Sequence, residues 1–181
     1  MSAHDVVPLP TLRPATPDDA PAIVALRDGL ARWLTDTGVN QWQEGEITVE
    51  QVAAGARLGE WHVAESGGDT EDSREIVACV RLAWSDPDFW GDDDAPAGYV
   101  HGLMVRRDHA GHGWGRGLIE WAAQTTAAAG HGRLRLDTAA HNTTMVDYYR
   151  SLGFTVLREA DLPPQFGRDM RIVLFERRLD S

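Results

Sequence analysis

Apolar and polar positions alternate along the chain with two periods, one helical and one of strand type. "TLRPATPDDAPAIVALRDGLARWL" reads as a short strand and then a helix. Thr16 stands at a cap position, Pro17 suits the first turn, and Asp18 and Asp19 sit at its positive end; Ile23, Leu26, Leu30, Trp33 and Leu34 follow at helical spacing. "GVNQWQEGEI" is a loop containing Trp42, and Thr48 with Gln51 forms a capping-box pattern that opens a second helix in "TVEQVAAGARL". Strands are predicted near 60–65 and 75–84, split by the polar turn "SGGDTEDSR". The second is continuously apolar, which places it centrally in a sheet and makes Cys79 a small core residue. After the acidic loop "SDPDFWGDDDAPAG", a strand over 99–106 leads through a glycine-rich run into a helix ending near Ala129. A strand over 133–138, a helix from about Asn142 closed by Gly153, and strands in "FTVLRE" and "RIVLFERRL" finish the chain, the last two joined by "ADLPPQFGRD". Strands and helices interleave with no linker or repeat, which predicts one mixed α/β domain over residues 11–179, with residues 1–10 as a tail.

The 181 residues, 43% of them apolar, are enough for one sizeable core. No apolar run reaches the roughly 18 residues of a membrane span, and the first ten residues lack the basic-then-apolar order of a signal peptide. A cytoplasmic protein without a membrane partner is therefore expected. The single cysteine rules out an internal disulfide. A net charge of −11 argues against nucleic acid as a partner. All 17 basic residues are arginine, which excludes Schiff-base and phosphate-loop chemistry that needs a lysine amine. His109 and His112 lie three apart without further ligands at useful spacing, so no metal is expected.

The run "HAGHGWGRGLIEWA" places glycines at 111, 113, 115 and 117 just before an apolar helix. A dinucleotide fingerprint does not fit, because counting from Gly111 or Gly113 its last glycine falls on Arg116 or Leu118. Two readings remain: a plain glycine turn, or a cradle in which backbone N–H groups and a helix N-terminus hold a pyrophosphate. The helix after Trp114 has no evident side-chain cap, and a phosphate would satisfy its first N–H groups. Gly117 suits close packing at the helix start.

Two motifs carry a resemblance. "LMVRRDHAGHGWGRGLIEWA" is similar to the acyl-CoA-binding signature of the GNAT acyltransferase superfamily, with residues 110–115, "AGHGWG", in its frame. "HNTTMVDYYRSLGFTVL" resembles the family's second signature through Asn142, Tyr149, Gly153 and Phe154. The element order from residue 11 to 179 also suits the family. One position departs: the usual Arg or Gln that opens the first signature is Ala110, which leaves more to the glycine N–H groups and to Arg106, Arg107 and Arg116.

The resemblance implies an α/β (α+β) domain: a mostly antiparallel central sheet of six to seven strands flanked by about four helices, splayed between strands 99–106 and 133–138. It implies acetyl-CoA as cosubstrate, held by Leu103, Met104, Val105, Arg106, Gly111, His112, Gly113, Trp114, Gly115, Arg116, Asn142 and Tyr149, and direct attack of a primary amine of a small molecule on the thioester. Leu103–Val105 would supply backbone N–H groups to the oxyanion. Tyr149 would protonate the leaving thiolate, with Tyr148 beside it as the alternative hydroxyl. Asn142 orients the cofactor or a water, or simply caps its helix.

An alkyl ammonium with a pKa near 10.4 is deprotonated in only about one molecule in 10³ at pH 7, so a base or water relay is needed. His101 is the first candidate, placed by strand alternation on one face with Tyr99 and Leu103; Asp137 is the second. Trp33, Trp42, Trp84, Phe89 and Trp90 are candidate substrate walls. Asp86, Asp88 and the Asp92–Asp94 run would draw a cationic amine, unless these acids are a solvated loop and the aromatics core. A non-catalytic acyl-CoA sensor is the rival reading, motivated by Ala110, and a homodimer is possible.

Overall fold

The computed structural model describes residues 8–67, 74–93 and 95–179. Most of the predicted "SGGDTEDSR" turn, residue Asp94 and residues 1–7 of the predicted tail lie outside them. In chain order the elements are β1 (Leu12–Pro14), α1 (Ala20–Asp36), α2 (Val49–Arg57), β2 (Trp61–Gly67), β3 (Arg74–Ala83), α3 (Pro87–Trp90), β4 (Gly98–Val105), α4 (Trp114–Ala128), β5 (Arg133–Ala139), α5 (Thr143–Ser151), β6 (Thr155–Asp161) and β7 (Arg171–Arg178).

Local chemistry accounts for most boundaries. Thr48 Oγ1 accepts from the Gln51 N–H at 3.2 Å while Gln51 Oε1 accepts from the Thr48 N–H at 2.8 Å, closing the capping box at α2. Gly153 follows α5 with φ +85°, the left-handed conformation a helix stop requires. Two segments differ from expectation. The first helix begins as a single 3-10 turn at Pro17–Asp19, and the acidic loop folds Pro87–Trp90 into a short helix. Trp90 buries there, so local apolar contact overrides a composition that reads as irregular.

The strands form one sheet in the order β1-β2-β3-β4-β5-β7-β6. Every pairing is antiparallel except β4 with β5, which is parallel and covers only Gly98↔Leu134 to Val100↔Leu136. Beyond Val100 the two strands part, and the edge of β4 facing β5 is released from the ladder. Along β3, Val77, Ala78, Cys79 and Val80 are wholly buried, as a central strand requires. Helices α4 and α5 cover one face, with Leu118, Ile119, Ala122 and Val146 packed on Val80, Val100, Leu136 and Phe175. Helices α1 and α2 cover the other face over β2–β4, and α3 with the β6–β7 connection covers it over β5 and β7.

One irregularity in β4 shapes the site. Arg81 pairs with His101 and Cys79 with Met104, so Gly102 and Leu103 together oppose Val80. Gly102 adopts φ +52°, and a Cβ there would meet the Trp61 ring at 2.6 Å. This bulge breaks the alternation assumed from sequence. Tyr99 belongs to the cluster under α3, whereas Leu103 packs on the α4 side and Met104 on the α1–α2 side. The expectation that His101 shares a face with Leu103 is therefore corrected.

Candidate functional site

The fork between β4 and β5 gathers several of the predicted residues. His101 Nε2 lies 3.0 Å from Asp86 Oδ2, and its Nδ1 lies 3.7 Å from Asp137 Oδ1 on β5. The Phe89 ring stands 5.4 Å from the imidazole and 5.8 Å from Phe166. Burial by itself would lower the imidazole pKa. The hydrogen bond and charge of Asp86 and the charge of Asp137 outweigh it and, against Arg81, raise the value above the ordinary one. Burial pushes the Asp137 carboxyl up to about 6, with His101 opposing and Asp86 reinforcing the shift.

Tyr149 enters from the opposite face of the sheet. It is buried against Phe154 and Phe175, with ring centroids 5.9 and 5.7 Å away. Burial, and after it the charges of Asp137 and Tyr148, hold its phenolic proton more tightly than usual. Tyr148 takes a different place. Its hydroxyl stands 2.9 Å from where a Cβ on Gly115 would be, beside the first turn of α4.

Gly111 and Gly113 have φ of +88° and +79°, and a Cβ on either would meet no atom within 4 Å. They give a bare backbone facing open space, and Gly113 caps α4 with no side-chain hydrogen bond. That arrangement fits a phosphate group. Gly115 and Gly117 differ, since they admit Tyr148 and Leu9 respectively. The His112 ring lies beside Trp114, which is itself buried in the core and stacked on His109 at 4.6 Å. Met104 is core as well, so only its backbone can face the fork.

Of the three arginines around Ala110, Arg106 is engaged by Asp108 at 2.8 Å and by Glu75, and Arg107 stacks 3.8 Å over the Trp33 ring. Arg116 is exposed on the first turn of α4 and has no salt bridge among the described residues. Trp42 lies 5.0 Å from Arg27 in the α1–α2 cluster. Trp84 stacks on His131 at 5.1 Å just beyond Ala83, the partner of Tyr99, at the far end of the ladder from the Gly102 bulge. Trp90 is core beneath Arg135.

Asn142 Oδ1 accepts from the Met145 N–H at 3.3 Å, which makes it the cap of α5, while its Nδ2 donates to Gln41 Oε1 at 2.6 Å. Thr138 also donates to Gln41. The α1–α2 connection that carries Gln41 is pinned by Arg168, which donates to the Asn40 and Gln41 carbonyls and pairs with Glu46, itself paired with buried Arg27. Gln41, Glu46 and Arg168 were not singled out from sequence. Each sits in a segment without periodicity, and their partners lie up to 128 residues away. Beside them is a groove of about 560 Å³ lined in part by Asn40, Gln43, His141, Glu159, Arg168 and Met170. A second cavity, of about 920 Å³, lies between β1, α1 and the start of β3; of the site residues only Arg106 lines it, and its arginines are each paired with a lining carboxylate. Among the described residues no helix is long and apolar enough to cross a membrane, and no group of three or more His, Cys, Asp or Glu is placed to hold a metal ion.

Residues 27–154 match the family model described as Acetyltransferase (GNAT) family. A comparison with curated proteins gave no match. Among solved structures, a GNAT-family acetyltransferase of Listeria monocytogenes is similar over 93% of this chain and 94% of its own, with 24% identity and a TM-score of 0.74. The yncA protein of Salmonella typhimurium, solved with its cofactor acetyl-CoA, is similar over 94% of each chain at 18% identity and a TM-score of 0.67. The N-acetylglutamate synthase of Neisseria gonorrhoeae, complexed with coenzyme A and N-acetyl-glutamate, aligns over 94% of this chain and 35% of its own, at 22% identity and a TM-score of 0.65.

Proposed function

Because the chain belongs to the GNAT acetyltransferase family, we propose that it is an acetyl-CoA-dependent N-acetyltransferase acting on a primary amine of a small molecule. The observation that carries this is the fork itself: a parted β4–β5 pair with His101 and Asp137 on one face and Tyr149 on the other, leading from the bare glycine backbone at α4.

In this reading the N–H groups of Gly111 and Gly113, the first turn of α4 and Arg116 receive the pyrophosphate. Acetyl-CoA supplies an acyl group on a good leaving group, the thiolate. The released edge of β4 over Leu103–Val105 offers N–H groups to the carbonyl oxygen, where negative charge develops. His101 takes the proton of the incoming ammonium, and a pKa raised above the ordinary one makes it a stronger base. Tyr149 keeps its proton at neutral pH and gives it to the departing sulfur. Asn142 holds the start of α5 and so the placement of Tyr149. Asp86 and Asp137 surround the base with negative charge, which favours a cationic acceptor.

The experiment is thiol release from acetyl-CoA across a panel of amines, with calorimetric titration of acetyl-CoA alongside. Tyr149→Phe should lower turnover about 100-fold and leave the acetyl-CoA dissociation constant within a few-fold. Wild-type turnover in that variant would remove Tyr149 from its role. Absence of binding at millimolar acetyl-CoA would remove the whole reading.

A further inference from the structure

His101 is held from three elements at once. Arg81 stands opposite it on β3, Asp137 faces its Nδ1 from β5, and Asp86 reaches its Nε2 from the β3–β4 connection; Tyr149, from α5 on the far face, feels the Asp137 charge. Asp86 is not held by strand pairing, so something else must fix it. The connection is tied down at the end of α3 and just after it. Asp93 accepts from Arg135 at 2.7 Å, and Trp90 lies 4.4 Å under the same guanidinium. Arg135 is 1% exposed in the middle of β5, and Glu176 and the Tyr99 hydroxyl occupy its other N–H groups. A fully buried arginine with three partners is a rigid anchor, because each bond it loses leaves a charged donor unsatisfied.

We propose that Asp86 is a positioning residue for His101: the β3–β4 connection, latched to the sheet through Asp93 and Trp90 on Arg135, holds the Asp86 carboxylate on Nε2 so that Nδ1 is the nitrogen presented to the fork. The inference rests on the acetyltransferase reading above and names how its base is held. A carboxylate oxygen can only accept, so Nε2 carries the ring hydrogen and the Nδ1 lone pair is left free. When the acceptor ammonium approaches, its N–H bond breaks, an Nδ1–H bond forms, and the positive charge moves onto a ring flanked by Asp86 and Asp137. The amine nitrogen keeps the electron pair with which it attacks the thioester.

The test combines an NMR titration of the His101 ring nitrogens, which needs no turnover, with the pH profile of kcat/KM. Asp86→Asn should lower the His101 titration midpoint by one pH unit or more, move the acid limb of the profile down with it, and reduce kcat about tenfold, with the KM for acetyl-CoA within twofold. Asp86→Glu should recover part of the midpoint. Asp93→Ala, which opens the latch without touching Asp86, should shift the midpoint in the same direction by a smaller amount and provides the reading if Asp86→Asn does not fold. An unchanged midpoint in Asp86→Asn, or a shifted midpoint with an unchanged pH profile, would overturn the proposal. A wild-type protein that releases no thiol with any amine would instead sink the acetyltransferase reading, and the titration would still decide whether Asp86 holds the ring.

Discussion

The Asp137 carboxyl gives the sharpest quantitative prediction, because its burial at the fork acts against stability. Its pKa stands at about 6 in the folded protein against an ordinary 3.8, chiefly through burial. The folded state therefore binds this proton more tightly than the unfolded chain. The stability it contributes is fully present below pH 3.8 and is lost as pH rises through about 6. That separation corresponds to about 3 kcal/mol above pH 6.

Asp137→Asn keeps the size of the side chain and removes the ionisation. The variant should be no more stable than wild type near pH 4, should gain on it up to about pH 6, and should level off above that. His101 does not blur the window: its folded pKa is raised and its unfolded value is near 6.5, so it stays protonated in both states at lower pH. Loss of a carboxylate facing Nδ1 takes back part of the gain, so about 3 kcal/mol is the ceiling, or roughly 6–12 °C in the unfolding midpoint of a domain this size. Thermal unfolding followed by circular dichroism at half-unit steps from pH 4 to 8 measures it. Parallel curves for the two proteins would refute the reasoning, as would a variant that loses ground with rising pH. The same substitution should lower turnover, so stability and activity move in opposite directions.

Gly113→Ala and Gly130→Ala impose similar strain, since φ is +79° and +82° and neither new Cβ meets an atom within 4 Å. Each should cost about 1–2 kcal/mol, but calorimetry should find acetyl-CoA binding weakened, by about tenfold, only in Gly113→Ala; equal affinities would refute the role of that loop. Glu46→Ala leaves Arg27 and Arg168 without their shared carboxylate in a site where Glu46 and Arg27 are each only 7% exposed. A loss of roughly 3–5 kcal/mol in chemical denaturation is expected, and a loss below about 1 kcal/mol would show that the cluster is solvated.

The sequence alone determined the elements and their order, apart from the short helix α3. Helix and strand spans follow from contacts within about four residues, which caps, Gly153 and the two apolar periods record directly. The same local logic places Cys79 in a central strand and makes Gly111 and Gly113 a bare backbone ahead of a helix. Only the tertiary structure decided which of these residues meet. At the Gly102 bulge the Trp61 ring from β2, two strands away, fills the space a Cβ would need, and the bulge turns Leu103 away from His101. Asp86 meets the imidazole because Arg135, 42 residues from Asp93, anchors the loop between them. Arg106, which proximity offers to a phosphate, is taken by Glu75, 31 residues earlier. Gln41 reaches Asn142 across 101 residues. These pairings depend on where non-periodic segments are carried by the sheet. Charge and hydrogen bonding act over a few ångströms in space, with no regard to distance along the chain.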